Sequence, residues 1–266
     1  MRRIALIALL AALAATGSAR AEEDEASRQA RWADLRHAVF GDRAVTDGAG
    51  IITLDAPPRA LDAALVPITI DLPGPAKIKS VYVIIDENPS PLAGTFHFGP
   101  AADTHQLRTR IRVDAYTLIH AVAETEDGQL YATEKFVKAA GGCSAPSSKD
   151  AKLAMERLGQ MKLKPVGEGA GQATETMQLL ISHPNFNGMQ MDQLTRNYTP
   201  ARFIQDVKVM RGNALVFDLE SDISLSEDPA ITFGVTGKSP APITVEIHDS
   251  ANATFKQNFE VPGGGI

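Results

Sequence analysis

Among 266 residues there is one cysteine, Cys143, in the stretch Lys138-Ala139-Ala140-Gly141-Gly142-Cys143-Ser144-Ala145-Pro146. Gly141 and Gly142 have no Cβ and keep wide backbone freedom, so the stretch predicts a thiol displayed on a mobile strip of chain. As a thiolate, such a group is a nucleophile that can take up a small electrophile and hand it on. The same residue also fits a small buried hydrophobe or a disulfide between two copies of the chain. Lys138 and Lys149 lie within chain reach of the sulfur and would lower its pKa from a free value near ~8.5. The bland alternative is a pair of solvated lysines.

The other reactive side chains form no constellation for turnover. His37, His97, His105, His120, His183 and His248 show none of the close pairings typical of metal sites, and a lone cysteine adds little to that ligand set. His97 and His105 are the one pair that a hairpin could bring together. No Gly-x-Ser-x-Gly elbow is present, the run Gly167-Glu168-Gly169-Ala170-Gly171 reads as a loop rather than a phosphate cradle, and the carboxylates are scattered. The expectation is a protein that is not an enzyme and carries no metal or cofactor.

Residues 1–21 read as a secretory signal: Arg2 and Arg3, the apolar run Ile4 to Ala15, then Ala19-Arg20-Ala21 before Glu22. Its removal takes away three positive charges and moves the formal net charge from -6 to -9, which disfavours nucleic acid and anionic membranes as partners. No later run approaches the ~18 apolar residues of a membrane span, so a soluble periplasmic protein is expected. In that oxidising compartment a single cysteine cannot form an internal disulfide. Packing must then supply the stability.

The remainder is punctuated like an all-β protein. After a helix expected over Ser27 to Phe40, with Trp32, Leu35, Val39 and Phe40 on one stripe, come short Val/Ile/Thr-rich runs separated by Pro, Gly and Asp clusters. These are Ile51 to Leu54, Leu65 to Leu72, Val81 to Asp86, Leu107 to Val113, Tyr116 to Glu124 and Leu130 to Lys138. In the fourth, Arg108, Arg110 and Arg112 alternate with apolar residues, which predicts a basic outer face. Ser147 and Asp150 stand at capping-box spacing before a short helix with Ala151, Ala154, Met155 and Leu158 on one face. The thiol would then lie in a loop with about five residues on either side, a reach of ~12 Å. Further strands are expected around Met177 to Ile181, Phe203 to Met210, Leu215 to Glu220, Ile231 to Thr236, Ile243 to His248 and Thr254 to Val261, with a glycine tail after them. The chain thus divides into a signal at 1–21, a β-sandwich at 22–144, a linker helix at 145–160 and a second sandwich at 161–266.

The two halves resemble a known system. Phe40 to Cys143 is similar to SoxY through Phe40-Gly41-Asp42, the Ala-Pro-Pro and Val-Pro-Ile within Ile52 to Ile70, and Val137-Lys138-Ala139-Ala140-Gly141-Gly142-Cys143. Met161 to Val261 resembles SoxZ through Ile181-Ser182-His183-Pro184, Gly188, Pro200-Ala201-Arg202-Phe203-Ile204, and Ile223 through Phe233. SoxY and SoxZ are the subunits of the sulfur carrier of bacterial thiosulfate oxidation. The resemblance implies two immunoglobulin-like β-sandwiches, joined here by a short helical linker and packed on each other. It makes Cys143 the covalent carrier, with Gly141 and Gly142 as its carrier segment, and periplasmic redox enzymes its partners. Here Cys143 is internal, Ser144-Ala145 comes after it, and the subunits are fused. These features look like the fused SoxYZ-like carriers associated with quinoprotein dehydrogenases, whose partners would be the dehydrogenase or a cytochrome c. An adaptor docking on such an enzyme without using the thiol is the alternative.

Overall fold

The computed structural model of the protein describes residues 25–146, 151–166, 174–192, 195–237 and 239–260. The expected signal, the Ser147/Asp150 capping box, Lys149, the glycine loop at 167–171 and the tail glycines lie outside the described residues. The chain divides into two units, residues 1–43 and 44–266. In the first, helix α1 covers residues 25–40. It stops where Gly41 turns to φ 63° and donates its N–H to the His37 carbonyl at 2.8 Å, a left-handed cap that costs least without a Cβ.

The second unit is all β except for one short helix. In order it contains β1 (Val45–Asp47), β2 (Thr53–Asp55), β3 (Val66–Asp71), β4 (Ile78–Ile85), β5 (Leu92–Phe98), β6 (Ala102–Ile111), β7 (Thr117–Thr125), β8 (Leu130–Val137), α2 (Ala151–Glu156), β9 (Met161–Pro165), β10 (Thr174–Ile181), β11 (Ile204–Arg211), β12 (Ala214–Ser221), β13 (Ala230–Thr236), β14 (Ile243–Asp249) and β15 (Thr254–Phe259). One sheet has the order β1-β8-β7-β4-β5-β12-β11-β14-β15, the other β2-β3-β6-β13-β10-β9. The immunoglobulin-like sandwiches of the two halves therefore do more than pack together: both sheets run through both halves. β5 pairs antiparallel with β12, Phe98 opposite Phe217 and Thr95 opposite Glu220. β6 pairs antiparallel with β13, Leu107 opposite Phe233. Each half thereby covers an edge that would otherwise present unpaired N–H and C=O groups.

Glycines let these edges close. A Cβ on Gly94 of β5 would lie 3.0 Å from the Glu220 carbonyl oxygen, and one on Gly234 of β13 would lie 2.6 Å from that of Asp103. Inside the seam, Phe217 of the second half meets Phe96 of the first with ring centroids 5.8 Å apart and Phe233 at 5.0 Å, edge on. A single hydrophobic cluster runs from Ile52 through these rings to Ile247. Phe217→Ala is expected to cost about 3–5 kcal/mol and, because the core is shared, to lower one cooperative urea transition. A loss below about 1 kcal/mol, or two separable transitions in the parent protein, would contradict a common core.

Candidate functional site

Strand β6 ends at Ile111, and the chain beyond it leaves the surface. The sequence pattern predicts Arg108, Arg110 and Arg112 on one outer face. Arg108 is exposed and Arg110 half-buried, but Arg112 is 0% exposed. The correction has a local cause: alternation applies only while the strand lasts, and the Arg112 N–H donates across the seam to the Ser224 carbonyl at 2.8 Å, which draws the residue beneath the second half. Asn88, also buried, holds this junction. Its amide donates to the Arg112 carbonyl at 2.8 Å and to Ser224 Oγ at 2.9 Å, and its Oδ1 accepts the Asp114 N–H at 2.9 Å.

On this junction rests the segment that carries the thiol. Gly141 donates its N–H to the Asp114 carbonyl at 2.7 Å and Gly142 to that of Val113 at 3.1 Å. The Cys143 N–H reaches Asp114 Oδ1 at 3.2 Å. From the second half, Asn187 Nδ2 donates to the Cys143 carbonyl at 2.6 Å and Gln190 Nε2 to the Ala145 carbonyl at 3.3 Å. Asn187 and Gln190 brace each other, the Asn187 N–H donating to Gln190 Oε1 at 3.4 Å. Asn185, at φ 43°, bonds Ser226 and Ile204 through its side chain and anchors their loop. Asparagine tolerates that left-handed conformation better than most residues.

Cys143 is 0% exposed, so the expectation of a displayed, mobile thiol is overturned. Gly142 provides the reason. A Cβ there would sit 2.2 Å from the Ala63 carbonyl oxygen and 2.5 Å from that of Val113. The absent side chain serves close packing instead of freedom. Yet Cys143 stands outside the main hydrophobic cluster, and its backbone is held by hydrogen bonds with side chains, contacts that can be exchanged for water.

The electrostatics also run opposite to expectation. Lys138 is exposed and acts through its backbone, donating its N–H to the Pro58 carbonyl at 3.0 Å. Burial pushes the Cys143 thiol up to about 12; the Asp114 charge and a hydrogen bond from the thiol to that carboxylate push the same way, against Arg112. At neutral pH the sulfur is protonated and unreactive. Arg112 donates to the Gly142 carbonyl at 3.5 Å and the Asn185 carbonyl at 3.3 Å, and its Nε has no partner. Its pKa is lowered by burial, with Glu227, Cys143 and Asp62 acting in the opposite direction.

The histidines are dispersed. His97 faces Ser80 at 2.9 Å and His105 pairs with Asp103. His183 is buried; its Nδ1 accepts the Asn185 N–H at 3.1 Å, and burial lowers its pKa. Among the described residues no group of three or more His, Cys, Asp or Glu is arranged to hold a metal, and no helix is long and apolar enough to cross a membrane.

Comparison with known proteins places family boundaries on this geometry. Residues 36–143 match the model of sulfur oxidation protein SoxY, ending on the thiol itself, and residues 164–260 match that of sulphur oxidation protein SoxZ. The solved sulfur carrier protein SoxY from Chlorobium limicola f thiosulfatophilum is similar at 22% identity and a TM-score of 0.38, over 44% of this chain and 98% of that one. No curated protein matches the chain. With a SoxY domain and a SoxZ domain in one polypeptide, sharing both sheets, the chain belongs to the SoxYZ-like sulfur-carrier proteins as a fusion of their two subunits.

Proposed function

We propose that this protein is a periplasmic carrier that holds a sulfur-containing intermediate covalently on Cys143 Sγ and presents it to partner redox enzymes, of the Sox type or a quinoprotein dehydrogenase with its cytochrome c. One observation carries the reading. The only thiol of the chain, at the last residue of the SoxY match, belongs to a residue whose backbone both halves hold through hydrogen bonds. The gripped arrangement is then the empty, closed form. Loading requires residues 141–146 to leave the nest, because no partner can reach a sulfur that is 0% exposed.

The surroundings support enzyme docking. Large exposed hydrophobics among the described residues are Leu61, Tyr116, Leu153, Met155 and Tyr198. Leu61 lies two residues from Ala63, against which Gly142 packs, and Tyr116 two residues from Asp114. Tyr198 comes after the loop of Asn187 and Gln190, and Leu153 and Met155 are on α2, shortly after the carrier segment. Exposed apolar side chains of this size offer contact area to a partner.

The burial of the thiol favours the second reading, an adaptor in which sulfur chemistry is incidental. Cys143→Ser separates the two. Serine fits the space and keeps the backbone contacts, so an adaptor would retain partner binding and the growth phenotype, whereas a carrier loses its function while still folding.

A further inference from the structure

The nest around Cys143 is full for sulfur and poor in counter-charge. Among the described residues, the charges that act on it are one cation, Arg112, and the carboxylate of Asp114, while Glu227 and Asp62 act on Arg112. A group added to a side chain that is already 0% exposed must push neighbours apart. An anionic group would in addition lose its water and meet Asp114. Arg112 makes the closed state costly from the other side. It is fully buried, its two hydrogen bonds are long at 3.5 and 3.3 Å, and its Nε, in the same guanidinium that donates to Gly142, lacks a partner. Withdrawal of the segment would let water complete those donors.

We propose that the nest reads the chemical state of the thiol: it retains residues 141–146 only while Sγ carries a hydrogen, and a group bonded to sulfur, most strongly an anionic one, releases the segment from Asn187 and Gln190. The biological meaning rests on the carrier reading. Empty carrier is closed and inert; loaded carrier displays both its cargo and the side chains that had gripped it, so partner enzymes meet different surfaces in the two states.

Two nearly isosteric adducts test this on the full mature chain. Cys143 is converted in urea with iodoacetamide or iodoacetate, each forming one S–C bond with loss of iodide and of the thiol proton to buffer, and is then refolded beside an untreated control. Amide hydrogen exchange of Gly142 and Cys143 is compared with that of β4 and β7. Exchange in the segment is expected to rise about tenfold for the neutral adduct and about a hundredfold for the anionic one, with the strands unchanged. Equal protection in all three forms, or an unprotected segment in the bare-thiol control, overturns the proposal. Should an adduct hinder refolding, the expressed variants Cys143→Ser and Cys143→Asp supply the same contrast: the first stays protected and the second does not, and equal protection again refutes it. Failure of this ordering leaves the carrier reading standing, and a thiol that never bears cargo in its native source leaves the ordering standing.

Discussion

Gly142→Ala is expected to expel the carrier segment and raise the reactivity of Cys143 at pH 7 by up to about a thousandfold. The new Cβ would sit 2.2 and 2.5 Å from two carbonyl oxygens, those of Ala63 and Val113. These are backbone atoms tied to each other, the Val113 N–H donating to the Ala63 carbonyl at 2.8 Å, so they cannot yield as the tip of a flexible side chain would. The segment must lift instead. Gly141→Ala is the control: its Cβ meets only Ser144 Oγ at 3.6 Å, and its cost is the φ of 75°, about 1–2 kcal/mol for a residue with a Cβ and therefore about a tenfold effect or somewhat more. Alkylation rates with a neutral reagent, alongside circular dichroism to confirm that the sheets persist, measure both. An unchanged rate in Gly142→Ala would show that the nest does not protect the thiol.

The second large effect is on pH. In the nest the thiol holds its proton to about 12, against an ordinary value of 9.0, through burial first and Asp114 second. Between those values the docked form keeps a proton that the released or unfolded chain has lost. Docking is therefore fully stabilised below about pH 9 and weakens as pH rises towards 12, by at most about 4 kcal/mol. Two results are expected. At pH 7 Cys143 reacts about a thousand times more slowly than in the urea-unfolded chain, and its rate keeps climbing about tenfold per pH unit beyond 9, where a free cysteine levels off. Asp114→Asn removes a charge that raises the pKa and should speed alkylation at neutral pH; Arg112→Met removes the opposing one and should slow it. A rate profile that flattens near 9 with the native amplitude of a free thiol would contradict the geometry.

Much of the architecture is legible in the residues, and the failures have physical causes. β3 shows its buried face directly, because Val66, Ile68 and Ile70 alternate with Pro67, Thr69 and Asp71. β5 escapes because Ala93 and Gly94 depress strand propensity; that glycine is there for the approach of Glu220 across a seam that exists only in the folded chain. Arg112 looks like the next residue of a basic face, and only the end of β6 one residue earlier reveals otherwise. At Cys143 the ambiguity is deeper. A Gly-Gly pair signals chain freedom or close packing with equal force, and the partners that decide, Asn187 and Gln190, lie 44 and 45 residues away from the carbonyls they bind. The three amides Asn185, Asn187 and Gln190 within six residues are the available signal, since uncharged amides are what exposed backbone carbonyls need.

The most direct measurement of the central claim is the intact mass of the protein, purified without reductant from its native source during active sulfur-compound metabolism. A carrier predicts a population heavier by sulfur or sulfonate increments, mapped to Cys143 and removed by reductant. A uniformly unmodified thiol under those conditions would contradict it and leave the adaptor reading in its place.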